Sequence, residues 1–169
     1  MPYDANARLE QWLQQENPEE VLEPELAIVD PHHHLWDIRP FSTQPYLGFQ
    51  QKVYLCEEIA EEIRVAGHRV VQTVFAQCGA FYRASGPEPM RCVGETEFVQ
   101  GVVAMSNSGQ YGDVALCAGI FSSADLRAGA AVDAVLQAHL AASANFRGIR
   151  TAFPSNLNDD FMQGYHLLA

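Results

Sequence analysis

Four short apolar runs, each followed by a stretch with helical spacing, leave few architectures open to this chain. The runs begin at residues 26, 70, 114 and 146. Leu26-Ala27-Ile28-Val29-Asp30 is closed by Pro31, and Val70-Val71-Gln72-Thr73-Val74-Phe75-Ala76-Gln77 is rich in β-branched residues. Both read as buried strands of a parallel sheet. Residues 114–121 and 146–153 supply the third and fourth strands. Leu55, Ile59, Ile63 and Val65 give the apolar positions of a helix over 54–66, with Gly67 as its stop. A second helix is expected over 95–105, and an alanine-rich third over 130–142 with Asp125 available as cap. A fourth is expected over 159–168. Strand–helix alternation calls for a parallel sheet with right-handed crossovers, either doubly wound or part of a (β/α)8 barrel. No glycine-rich phosphate loop follows the first strand, which counts against a dinucleotide-binding sheet. The expected fold class is α/β, a (β/α)8 TIM barrel, with only the first four β/α units in these 169 residues.

Residues 1–25 read as a separate lead-in: a short helix over 6–15 carrying Leu9, Trp12 and Leu13, then an acidic linker bracketed by Pro18 and Pro24. Residues 26–169 form the barrel portion, with long loops over 35–53 and 79–93. A hydrophobic share of 48% against 18% charged is enough for a core and argues against wholesale disorder. The net charge of −11 argues against nucleic acid or an anionic membrane as partner. It also means that a carboxylate-bearing substrate needs a local arginine. No basic segment followed by an apolar run marks a leader, and no apolar stretch is long enough to span a bilayer. The four cysteines form no C-x-x-C pair, so reduced thiols in a cytoplasmic protein are expected. Cys78, at a strand end, is the one nearest a site.

The chemistry concentrates in Asp30-Pro31-His32-His33-His34-Leu35-Trp36-Asp37, directly after the first strand. Successive side chains of extended backbone point to opposite faces, so His32 and His34 share one side and His33 points away. Two imidazoles at the carboxyl end of a parallel strand can share one divalent metal, where parallel barrels build their sites. Imidazole nitrogens suit zinc first, with manganese, nickel or iron as alternatives when carboxylates complete the shell. The competing reading is a polar loop whose histidines only hydrogen-bond, and His33 fits that description.

Residues Ile28 to Asp37 resemble the opening signature of the amidohydrolase-related family, in particular its branch of sugar-lactone and dicarboxylate lactonases. Phe146-Arg147-Gly148-Ile149-Arg150 is similar to that branch's fourth-strand motif, and Phe161 to Leu168 to the helix that follows. The resemblance implies a TIM barrel with a divalent metal at its C-terminal face, held in part by His32 and His34. The family's further ligands, histidines on the fifth and sixth strands and an aspartate on the eighth that also serves as base, have no counterpart in this sequence. A catalytic base is therefore expected only beyond Ala169. The chain breaks off inside an expected helix, as an incomplete reading frame would.

Arg150, nearer the carboxyl end of its strand, is the first candidate to grip a substrate carboxylate or lactone oxygen, with Arg147 the second. Gln77 ends the second strand and could line the same pocket. Glu95 and Glu97 open a helix, where their charge suits the positive helix terminus. His68 precedes a strand and belongs at the opposite end of the barrel. His139 and His166 fall within expected helices as exposed or packing residues. The leading expectation is a metal-dependent hydrolase acting on a lactone or related cyclic ester. A non-oxidative decarboxylase or hydratase with the same metal geometry is the alternative, and an inert half-barrel or binding module is a third. The expected partners are a small-molecule substrate and further copies of the chain, because a half-barrel leaves strand edges unpaired.

Overall fold

The computed structural model describes residues 11–12, 14–15, 20–39 and 52–150. Their framework is a four-stranded sheet of β1 (Ile28–His33), β4 (Val70–Ala76), β5 (Ala115–Ser122) and β6 (Phe146–Ile149). The strands lie side by side in chain order, and every pairing between them is parallel. The fold is thus α/β with a parallel sheet, as the alternation requires. Three helices link the strands: α1 (Cys56–Val65), α2 (Val93–Asn107) and α3 (Val132–Ala142).

All three helices pack on one face of the sheet. Cys56 and Ile59 of α1 and Val99, Val102 and Val103 of α2 form one buried cluster with Phe75, Leu116 and Ile120 of the strands. A second cluster joins Val93 of α2 to Val135 of α3, with Ile149 of β6 packed against it. His139 of α3 is fully buried and stacks on Phe146, with ring centroids 5.1 Å apart. It is a packing residue, not an exposed one. Its Nδ1 meets Thr96 Oγ1 at 2.8 Å, and its Nε2 meets the Ser123 carbonyl at 3.0 Å, so the polar ring is satisfied inside the core. On the other face Val29 and Phe121 are exposed.

Several boundaries differ from the sequence expectation, each for a local reason. β1 continues through Pro31 to His33 rather than stopping at residue 30. It has a single neighbour, β4, in the described sheet, and an edge position tolerates the missing proline N–H. The 35–53 segment is not all loop. Trp36–Asp37 (β2) pairs antiparallel with Val53–Tyr54 (β3), and the Trp36 and Tyr54 rings stack at 4.9 Å. Asp125 caps a 3-10 segment over Leu126–Ala131 instead of α3, accepting the Arg127 amide. Gly129, at φ 58°, kinks that segment from within, and α3 begins directly after it at Val132. Of the expected helix over 6–15, Gln11 and Trp12 are helical, and most of the rest lies outside the described residues, as do residues 151–153 and the expected helix over 159–168. Among the described residues no helix is long and apolar enough to cross a membrane.

Candidate metal centre

The three histidines at the end of β1 are sorted by the register of that strand. Asp30 pairs with Thr73 and His33 with Phe75, so β1 carries one residue more than β4 across this step. That bulge turns His33 into the core, where it is buried beside Phe75. Its Nε2 meets Thr73 Oγ1 at 2.9 Å, and the same hydroxyl accepts the Cys117 amide at 2.9 Å. Burial, the largest cause, pushes the His33 pKa down to about 4, against the opposing charge of Asp30. The Asp30 carboxylate in turn accepts the His32 amide at 3.0 Å, which sets the backbone at the bulge.

His32 and His34 are left on the open side, and their Nε2 atoms face each other at 3.2 Å. Two nitrogens bound to one tetrahedral zinc at about 2.0–2.1 Å stand about 3.3 Å apart. The spacing therefore fits a shared ion. His34 Nδ1 donates to the Ala76 carbonyl at 2.6 Å, which leaves Nε2 with its lone pair free. Desolvation lowers the His34 pKa, and so does the Arg150 charge, while the Ala76 carbonyl opposes them. The ring is accordingly neutral at neutral pH, the form that ligates. Among the described residues no third His, Cys, Asp or Glu joins the pair to complete a metal-binding group.

Arg150 lies at the same end. Its Nη1 stands 3.4 Å from His32 Nε2, and its Nη2 donates to the Gln77 carbonyl. Its Nε is buried without a hydrogen-bond partner among the described residues. The backbone holds it there, since the Arg150 amide donates to the Ser122 carbonyl at 2.9 Å and the Gln77 amide to the Phe121 carbonyl at 2.8 Å. Gln77 contributes its carbonyl to Arg150, while its side-chain amide donates to the Tyr82 hydroxyl at 3.0 Å. Arg147 is not brought to the histidines. Its Nη1 donates to the carbonyls of Ala144 and Phe146, at the start of β6. His68 lines a cavity of about 750 Å³ with Arg64, Arg69 and Asp113, beside the first residue of β4 and the loop into β5. That is the amino end of the sheet, as its place before a strand suggested.

The residues that sequence reasoning passed over lie under the β4–α2 loop. Glu95 is fully buried rather than displayed at the helix terminus. One carboxyl oxygen accepts the amides of Cys78 and Ala80, both at 3.0 Å, and the other has no hydrogen-bond partner among the described residues. The signal was in the spacing: Glu95 and Thr96 fall on the same helical stripe as Val99, Val102, Val103 and Ser106, all buried. Glu97 is the surface acid expected at that terminus and pairs with Arg83. All four cysteines are free, and the Cys78 thiol donates to the Leu35 carbonyl at 3.4 Å. Burial and then the Glu95 charge push the Cys78 pKa up to about 11, so this thiol is not a ready nucleophile. Comparison with known proteins adds no family to this geometry: no protein-family model matches the chain, and no curated protein or solved structure is significantly similar to it.

Proposed function

We propose that this chain is the metal-binding N-terminal half of a TIM-barrel hydrolase of the amidohydrolase-related type, acting on a lactone or similar cyclic ester. The observation that carries the reading is the facing pair of Nε2 atoms of His32 and His34, 3.2 Å apart at the carboxyl end of the first strand. Chain-order strands with all helices on one face support a barrel over a doubly wound sheet, which places helices on both faces. The motif from Ile28 to Asp37 supports the family.

His32 and His34 would hold the divalent ion, zinc by preference. When bound, such an ion supplies a Lewis acid for a carbonyl oxygen and lowers the pKa of water. The Ala76 carbonyl keeps His34 in the tautomer that presents Nε2. Arg150 orients an anionic group of the substrate through Nη1, which is within reach of the histidine pair, while the Gln77 carbonyl braces its other nitrogen. An anion between the guanidinium and the metal side would also relieve the repulsion between two cationic centres. The proton acceptor and the remaining ligands would come from a further part of the barrel.

Zinc titration of the chain tests the metal reading. His32→Ala and His34→Ala are each expected to weaken zinc uptake by more than about tenfold, the lower end for loss of an outer partner. His33→Ala, altering a core residue, is expected to leave it unchanged. Undiminished uptake by the double variant at His32 and His34 would sink the proposal. The reaction is read on protein carrying any residues encoded after Ala169, offered a lactone panel beside aromatic carboxylates. Release of carbon dioxide without lactone opening would replace hydrolase by decarboxylase.

A further inference from the structure

We propose that Glu95 is a positioning residue for the histidine pair: its buried carboxyl group ties down the loop after β4 and so holds the Ala76 and Gln77 carbonyls in place. Those two carbonyls receive His34 Nδ1 and Arg150 Nη2. They stand immediately before Cys78, whose amide, with that of Ala80, ends on Glu95 Oε1 at 3.0 Å. Two successive links therefore connect a fully buried acid on α2 to the tautomer of a histidine that it does not touch. The Gln77 amide, which donates to the Phe121 carbonyl, and the Cys78 thiol, which donates to the Leu35 carbonyl, hold the same turn from its other sides.

The arrangement of the carboxyl oxygens fits this role. Oε1 accepts two amides, while Oε2 is buried without a hydrogen-bond partner among the described residues. Desolvation pushes the Glu95 pKa up, against the amides of Cys78, Ala80 and Gly79 and the Cys78 thiol, which lower it. The α2 backbone also presses close to the loop, since a Cβ on Gly94 would lie 2.6 Å from the Arg83 amide nitrogen and 2.7 Å from the Phe81 carbonyl. Helix and loop are thus locked face to face, with Glu95 as the polar latch.

The metal consequence rests on the proposed function, but the positioning itself does not. The test uses the full chain without metal, and reads the His34 ring tautomer from its nitrogen-15 shifts. The unaltered chain is expected to show the Nδ1–H form at His34. Glu95→Gln keeps an oxygen that can accept both amides and is expected to preserve that form. Glu95→Ala is expected to give a mixture of tautomers and to weaken zinc binding about tenfold. A folded Glu95→Ala chain with the Nδ1–H form intact overturns the proposal. Should that variant not fold, amide exchange on the unaltered chain decides: Cys78 and Ala80 are expected to exchange as slowly as β4, and exchange at open-loop rates overturns it. If the unaltered chain takes up no zinc, the hydrolase reading fails alone, and the tautomer and exchange results still stand or fall on their own.

Discussion

Three consecutive histidines, chemically identical, end in three environments because one extra residue in β1 redirects alternate side chains. His32 and His34 were legible as a pair because extended backbone alternates its faces, and His33 as their opposite for the same reason. What holds them was not legible. The Ala76 carbonyl that fixes His34 belongs to a strand 42 residues away and carries no side-chain signature at all. Arg150 and Arg147 could not be separated by type; only the sheet hydrogen bonds around Ser122 and Gln77 decide which reaches the site. His139 makes a prediction at this scale. Burial lowers its pKa below the ordinary histidine value, with its Ser123 carbonyl bond opposing. Below about pH 6.5, the unperturbed value, the unfolded chain takes a proton that the folded core refuses. Its contribution to stability is therefore complete above that pH and lost as pH falls towards its folded pKa. Urea midpoints measured across that window should fall more steeply in the unaltered chain than in His139→Gln. Equal slopes would mean that His139 charges as readily inside as outside.

At the scale of elements, strand–helix alternation was readable because periodicity survives any tertiary arrangement, whereas ends were not, because caps and breaks depend on single contacts. Gly129 illustrates the point: its positive φ puts a kink inside the 3-10 segment that leads into α3. The two glycines of α2 give a paired prediction. Gly94 abuts the backbone of Arg83 and Phe81, so Gly94→Ala forces main chain against main chain and should cost about 1–3 kcal/mol or more. Gly101 is exposed in mid-helix, and a methyl group there would meet nothing within 4 Å, so Gly101→Ala should gain about 0.5–1 kcal/mol. Chemical denaturation of both variants checks the contrast, and loss of stability in Gly101→Ala would show that this face of α2 is covered.

For the whole molecule the governing fact is a sheet whose described helices all lie on one side. Among the described residues β1 and β6 each pair on one edge only, and Val29 and Phe121 stand exposed on the face away from the helices. Unpaired edges and bare sheet faces recruit other strands. The 169-residue chain expressed by itself is expected to self-associate in sedimentation as its concentration rises. A monomer at every concentration, unfolding in one cooperative step, would contradict the half-barrel view. Strand order has a consequence for how such a chain is made. Synthesis delivers β1 first, and each later strand of the sheet lies against the one delivered before it. Domains emerging from the ribosome fold amino-terminal parts first. Among the described strands no pairing must be reopened to admit a latecomer, and only the open edge of β1 is left for a strand still to come. The sheet can lengthen at a single growing edge, in step with translation.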